Sequence, residues 1–123
     1  MQGKPVSASR IEYPHFMQPE EANPAGSIHG GCILKHIDNT GAMVAFRHSR
    51  SNAVTVSIDR VDFIHPVYVG QMVTFKACLN YVGKSSMEVG VRVEAEDIFT
   101  GNTTHAVSAY LTFVALDEHN KPK

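Results

Sequence analysis

The residue with the clearest chemical potential is Asp38, a carboxylate within a segment whose apolar residues follow a helical repeat. It comes four residues after Leu34 and four before Ala42, so it shares the apolar face of the predicted helix. An ionised carboxylate on such a face is unfavourable unless it has a partner or opens to a cavity. Perturbed carboxylates are frequent at functional sites, but a helix rotated enough for Asp38 to reach solvent explains the pattern equally well.

The residues directly before this helix supply a second chemical group. His29, Gly30 and Gly31 lie where a helix presents unpaired N–H groups and a partial positive charge, which suit a carbonyl oxygen that gains negative charge. Coupled with a carboxylate two turns further on, they predict an acyl-transfer site; the alternative is a tight turn without a ligand. Asn23, held by the following proline, either aims its amide into the same space or serves only as a turn residue.

The elements that must position these groups follow from the hydrophobic periods. A helix is predicted from Gly31 to about His48, with Gly41 packed closely against its neighbours. Strands are predicted over residues 10–17, 54–59, 73–81, 87–95 and 107–115. Short connections indicate antiparallel pairing and an α+β fold with the helix on one sheet face. Because one helix covers only part of such a sheet, we expect a homo-oligomer.

Composition narrows the classes of function. A chain of 123 residues is the length of one domain, so we expect a single domain over 1–123. The balance of 11 Lys+Arg against 12 Asp+Glu argues against a nucleic-acid partner. Two distant cysteines, no apolar N-terminal segment and no long apolar run predict a cytoplasmic protein without a membrane partner.

Four segments carry a resemblance to a known family. They read ANPAGSIHGGCILKHIDNTGAMVAFRHS, VTVSIDRVDFIHPVYVG, YVGKSSMEVGVRVEAEDIFTG and SAYLTFVALD, and the match runs from about residue 17 to 117. The chain resembles the hotdog acyl-CoA thioesterases of the bacterial acyl-CoA hydrolase group, whose pattern the brain-type cytosolic acyl-CoA hydrolases carry twice. The resemblance implies a five-stranded antiparallel sheet wrapped around one long helix. It also implies homodimers with a continuous sheet, commonly assembled as trimers of dimers.

The resemblance further implies hydrolysis of fatty acyl-CoA at a site shared by two subunits. Asp38 matches the catalytic acidic residue, as general base or nucleophile, and Asn23 matches a loop asparagine that faces Asp38 of the other subunit. The amides of Gly30 and Gly31 would polarise the thioester carbonyl, while His29 shapes the loop. Thr55 and Ser57 would share one strand face and hold the water, unless they are ordinary strand hydroxyls.

Coenzyme A then requires cations and hydroxyls. The turn of Gly83, Lys84, Ser85 and Ser86 offers one charge, two hydroxyls and free amides suited to phosphate, and Arg60 is a second candidate. No separate cofactor is expected, since coenzyme A belongs to substrate and product.

Three rival functions remain open. A hotdog enoyl-CoA hydratase or dehydratase needs a catalytic histidine in a different loop and helix context. A non-catalytic acyl-CoA-binding module would not need Asn23 and Asp38. A metal site built on His29 and His36 has no convincing third ligand, so no metal is expected.

Overall fold

The protein is built on one antiparallel sheet, described here for residues 9–123 from a computed structural model. Its strands are β1 (Ile11–Phe16), β2 (Ala53–Phe63), β3 (Met72–Val82), β4 (Ser86–Glu96) and β5 (Thr103–Ala115). They pair in the order β1-β3-β4-β5-β2, so β1 and β2 form the two edges. The five predicted strands and their antiparallel pairing are confirmed.

A single long helix, α1 (Gly30–Ser49), lies across one face of this sheet and contacts all five strands. The predicted helix from Gly31 to about His48 is therefore confirmed within one residue at each end. Its buried side carries Ile33, Ile37, Thr40, Gly41, Val44, Ala45 and His48. This α+β arrangement, a sheet wrapped around one helix, is the hotdog fold.

The close packing predicted at Gly41 is also confirmed. A methyl group added there would stand 3.2 Å from two ring carbons of Phe113 and 3.7 Å from Val89. Phe113 is fully buried on β5, so the packing around its ring prevents it from moving away from an added methyl group. The helix thus approaches the sheet most closely at a residue without a side chain.

The sheet side of the core is formed by strands whose side chains alternate between the two faces of the sheet. In β3, Val73, Phe75, Ala77 and Leu79 are buried, whereas the residues between them reach the outer face. The inward residues of β4 and β5 continue the same layer beneath α1. The sheet therefore has one apolar face under the helix and one mostly polar face.

Edge strand β2 differs from this pattern, because several of its apolar side chains are exposed. Val54, Val56 and Ile58 leave 43%, 56% and 43% of their surface exposed, on a strand whose outer edge has no partner among residues 9–123. An apolar open edge of this kind invites pairing with another strand. No helix within residues 9–123 has the length and apolar character needed to cross a bilayer.

Candidate active site

Asp38 lies at the rim of the buried helix face rather than at its centre. It is half-buried, like Leu34 and Ala42 one turn before and after it, whereas Ile37 beside it is fully buried. The hydroxyl of Thr55 on β2 donates a hydrogen bond to its carboxylate, with Oγ1 and Oδ1 2.6 Å apart. The carboxylate therefore has the partner that its place on the helix requires, and within residues 9–123 its second oxygen accepts no hydrogen bond and can serve other chemistry.

The hydroxyl of Ser57 points elsewhere, so the predicted shared face of Thr55 and Ser57 is wrong. The pairing of β2 with β5 slips between them: Thr55 lies opposite inward Phe113, whereas Ser57 lies opposite outward Thr112. This β-bulge inserts Val56 as an extra residue, which turns the two hydroxyls to opposite faces. Ser57 instead donates to Asp59 at 2.6 Å.

Asp59 belongs to the outer face with Ser57. Thr112 also donates to its carboxylate, at 2.7 Å. The hydrogen bonds from Ser57 and then Thr112 hold the pKa of Asp59 below its usual value. Asp38 and Asp59 both accept a hydrogen bond from a hydroxyl of β2. Asp38, however, lies on the helix side of the sheet, whereas Asp59 lies on its outer face.

The start of α1 presents the donors expected from the sequence. His29 precedes the helix, is exposed, and accepts hydrogen bonds at its carbonyl from the N–H groups of Cys32 and Ile33. The N–H groups of Gly30 and Gly31 have no acceptor within residues 9–123. Both glycines are exposed, so these two amides can donate to an external oxygen.

An apolar groove of about 270 Å³ runs beside these amides. It lies between the helix start, the end of β2 and the loop after it, and is lined by Ser27, Ile28, Gly30, Ile33, Phe63, Ile64, His65, Pro66 and Val67. The ring of Phe63 stands against Gly30, where an added methyl group would lie 3.6 Å from it. This groove was not predicted from the sequence, because strand β2 was expected to end near Asp59; the apolar pair Phe63 and Ile64 was the available signal.

Asn23 shapes the loop that leads into the helix. Its side-chain oxygen accepts from the N–H of Ala25 at 3.0 Å, and its amide nitrogen donates to Ser27 Oγ at 2.9 Å. No hydrogen bond joins it to Asp38 of the same chain in the part of the molecule described. The turn role anticipated for Asn23 is confirmed, and its role opposite another subunit's Asp38 stays a prediction.

The half-buried carboxylate of Glu21 connects this loop to the helix and to β1. Its oxygens accept from the N–H of Gln18 at 2.8 Å and lie 2.9 Å and 3.2 Å from Nε2 of His15 and His36. Burial by itself raises the pKa of Glu21, but these hydrogen bonds and one from Cys32 outweigh it and hold the pKa at about 2. The carboxylate is therefore ionised at neutral pH.

The candidates for coenzyme A lie apart from Asp38. Residues 83–85 form the turn between β3 and β4, with Lys84 exposed, and Ser86 is the first residue of β4. Arg60 on β2 pairs with Asp62 at 2.8 Å on the surface. Within residues 9–123, no hydrogen bond or ion pair links either group to Asp38 or to the helix start. Their contact with a ligand stays a prediction.

Comparison with known proteins places the chain in a family. A model of the thioesterase superfamily matches residues 25–101, so the chain belongs to that superfamily. Protein VdlD of Helicobacter pylori is 41% identical over 88% of this chain and 62% of its own length. An uncharacterized acyl-CoA thioester hydrolase of Bacillus subtilis, YkhA, is 37% identical over 98% of this chain and 67% of its own length. The chain thus spans a little under two thirds of the first of these relatives.

Solved structures of acyl-CoA hydrolases and thioesterases have the same fold as this chain. A hexameric acyl-CoA thioesterase in its apo form superposes with a TM-score of 0.97 and 39% identity, over the whole of this chain and 79% of its own. An acyl-CoA hydrolase of Staphylococcus aureus bound to butyryl-coenzyme A has a TM-score of 0.92 and 36% identity, covering 96% of this chain and 72% of its own. Structures of its single alanine variants at an aspartate, an asparagine and a threonine are also known.

Proposed function

We propose that this protein hydrolyses acyl-CoA thioesters to a free carboxylic acid and coenzyme A. The observation that carries the proposal is the Asp38 carboxylate, held by Thr55 at 2.6 Å, on a helix whose first two amides have no acceptor within residues 9–123. A thioester needs those two elements, a base or nucleophile and donors for the oxyanion. The thiolate leaving group of coenzyme A needs little help from an acid.

Two routes give the same balance of atoms. As general base, Asp38 removes a proton from water, whose oxygen bonds to the carbonyl carbon while the C–S bond breaks. As nucleophile, Asp38 bonds to that carbon and expels the thiolate, and water then hydrolyses the mixed anhydride. In both routes the amides of Gly30 and Gly31 that donate to the carbonyl oxygen, as it becomes negative, belong to the neighbouring subunit. Seven and eight residues of helix, about 10–12 Å, separate Gly31 and Gly30 from Asp38 of their own chain, which is too far for one carbonyl group to contact both. The proton that Asp38 takes from water passes to solvent, which restores the carboxylate, and the departing thiolate takes up a proton from solvent.

The spacing of the three polar residues supports this assignment. Asn23 precedes Asp38 by 15 residues, and Asp38 precedes Thr55 by 17. The asparagine, aspartate and threonine replaced by alanine in the S. aureus hydrolase are separated by the same two intervals. Residues of the same type and spacing, in a chain that superposes at a TM-score of 0.92, favour the same roles here.

The complete site is proposed to lie between two subunits, with Asn23 of one facing Asp38 of the other. Within one chain, Asn23 and Asp38 do not bond in the described part, and β2 leaves an apolar edge open. Two β2 edges joined antiparallel would continue the sheet and bury Val54, Val56 and Ile58. We infer a homodimer, assembled as a trimer of dimers like the hexameric structural relatives.

We also propose where the substrate binds and in which compartment the enzyme acts. The groove beside Gly30 suits an acyl chain or the pantetheine arm, since its lining is largely apolar. Arg60 and residues 83–86 are proposed to bind phosphates of coenzyme A. The reaction needs no cofactor, and we infer a cytoplasmic enzyme that acts on a soluble acyl-CoA. A human relative that is 37% identical is itself named cytosolic.

The decisive experiment measures free thiol released from a series of acyl-CoAs, acetyl to palmitoyl, with a thiol reagent. We expect turnover with part of the series, and a loss of about 100- to 10,000-fold in Asp38→Ala and Asp38→Asn. Asp59→Asn is the matched control, because that carboxylate lies on the outer face with Ser57 and Thr112. Chelator in the assay should leave turnover unchanged.

Three results would contradict the proposal. If no acyl-CoA releases thiol while an enoyl-CoA is hydrated, the protein is a hydratase of the same fold. If Asp38→Ala releases thiol at the original rate and remains folded, Asp38 is not the catalytic carboxylate. Binding of acyl-CoA without turnover would indicate a binding module instead.

A further inference from the structure

Four groups able to bind a metal converge on the side of α1 turned away from Asp38. They are Nε2 of His15 on β1, the carboxylate of Glu21, and Nε2 of His36 and the thiol of Cys32 on the helix. Glu21 Oε1 lies 2.9 Å from His15, and its Oε2 lies 3.1 Å from Cys32 Sγ and 3.2 Å from His36. Suitable atoms of His15, Glu21 and His36 all lie within 4.8 Å of one another.

The Glu21 carboxylate gathers three side chains that can each bind a metal, besides the N–H of Gln18. The imidazoles of His15 and His36 lie side by side, with ring centroids 4.3 Å apart, and both bring Nε2 to this carboxylate. Cys32 and His36 are four residues apart on the helix, so they project from one face toward it.

We propose that His15, Glu21 and His36 bind a zinc ion, with Cys32 as a fourth ligand. Zinc takes imidazole nitrogen, carboxylate oxygen and thiolate sulfur at about 2.0–2.3 Å in tetrahedral sites. Such bonds place neighbouring ligand atoms about 3.3–3.8 Å apart. The distances of 2.9–3.2 Å from Glu21 to the other three residues therefore need to widen by only a few tenths of an ångström, whereas Cys32, whose sulfur does not lie within 4.8 Å of both histidine nitrogens, must also turn its side chain toward them. The side chains of His15, Glu21 and His36 are 22%, 15% and 13% exposed, which leaves a path for the ion.

The position of this site gives the ion a structural role. It joins β1, the loop that carries Asn23 two residues after Glu21, and the helix that carries Asp38. His36 and Asp38 are two residues apart on α1, about 200° around its axis, so the ion would not touch the reacting atoms. A bound zinc ion would fix the loop against the helix and raise the stability of the fold. This inference does not depend on the reaction that the protein catalyses.

The first test titrates zinc into the full chain after treatment with chelator. We expect one ion per chain and a thermal midpoint raised by at least about 5 °C at saturation. His15→Gln and His36→Gln should each weaken binding by at least about 100-fold, the upper end of what loss of a supporting group alone costs. His119→Gln, exposed near the C-terminus, is the control and should bind as the unaltered chain does.

Each variant is first compared in chelator, where circular dichroism and the thermal midpoint report whether it folds. Equal zinc affinity in all three histidine variants, or no midpoint shift with zinc in the unaltered chain, would overturn the proposal. If a histidine variant does not fold, Cys32→Ser with cobalt decides the question. Tetrahedral cobalt in the unaltered chain should show a sulfur-to-metal charge-transfer band, lost in Cys32→Ser while a weaker complex persists. Absence of that band and of any tetrahedral cobalt spectrum in the unaltered chain would also refute the site.

Discussion

At the scale of single residues, the hydrogen bond between Asp38 and Thr55 links the proposed catalytic carboxylate to strand β2. The hydroxyl fixes one carboxylate oxygen from the neighbouring strand, so the carboxylate has one orientation from which to act. Thr55 does not need to touch substrate to influence the rate. In the mechanism proposed here it is a positioning residue, and its loss should move the rate more than the stability.

Replacement of Thr55 by valine keeps the shape of the side chain and removes the hydroxyl. A hydrogen bond to a charged group contributes about 1.5–3 kcal/mol. We therefore expect kcat/KM to fall about 10- to 100-fold, mostly in kcat. Thr55→Ser, which keeps a hydroxyl, should recover most of the loss. Steady-state thiol release on one acyl-CoA measures all of these variants.

Ser57 supplies the contrast within the same strand. Its hydroxyl bonds to Asp59 on the outer face, so Ser57→Ala should leave kcat close to its original value. A large loss in Ser57→Ala together with an unchanged rate in Thr55→Val would show that the hydroxyl assignment is reversed.

At the scale of elements, the distance between helix and sheet is set where Gly41 meets Phe113. Alanine would gain about 1 kcal/mol of helix propensity over glycine. Its methyl group, however, would stand 3.2 Å from a ring that is fully buried, and overpacking of this kind costs about 1–3 kcal/mol. The steric cost therefore exceeds the gain in propensity.

Gly41→Ala should accordingly lower the free energy of unfolding by about 1 kcal/mol. Gly31→Ala is the matched control in the same helix, since nothing lies within 4 Å of the position of its added methyl group. That variant should be as stable as the original or slightly more so. Urea unfolding followed by circular dichroism compares the two, and greater stability in Gly41→Ala would show that the ring yields.

Regular elements could be predicted from the sequence because their periods are uninterrupted. The strand around Val89 and Val91 and the helix around Ile37 and Val44 kept a single repeat along their lengths, and the structure confirms them. The bulge at Val56 could not be predicted, since it arises from pairing with β5 and leaves no mark in the composition of β2. The part of the site on α1 was therefore predicted, whereas the part on β2 was predicted correctly only for Thr55.

The cluster around Glu21 escaped prediction for a different reason. His15, Glu21 and His36 belong to a strand, a short 3₁₀ turn and a helix, and only tertiary packing brings them together. From the sequence, His36 was considered as a metal ligand together with His29, but His29 is exposed before the helix. The four-residue spacing of Cys32 and His36 was the only local signal.

At the scale of the whole molecule, the central question is whether one chain can work alone. Asn23 and Asp38 do not bond within the described part of one chain, and the open apolar edge of β2 favours a second copy. If the two residues meet across a dimer, each subunit contributes to two sites. The activity would then depend on assembly as well as on the residues themselves.

Mixing of two inactive variants tests this dependence. Asn23→Ala and Asp38→Ala should each be inactive alone, but a mixed dimer contains one intact site made of the unaltered Asn23 and the unaltered Asp38. After unfolding and refolding of an equal mixture, about half of the dimers are mixed, so roughly a quarter of the original activity should return. If the mixture stays inactive although mass spectrometry shows mixed dimers, both residues act within one chain.

The amides of Gly30 and Gly31, which have no acceptor in the described part of the chain, also affect the end of the reaction. The acid that is released carries a carboxylate, and donors arranged for an oxyanion also attract that carboxylate. Asp38 opposes this attraction, because two negative charges in one site repel each other. The departure of the acid thus depends on the balance between the helix start and Asp38, and inhibition by product should increase when that aspartate is replaced by asparagine.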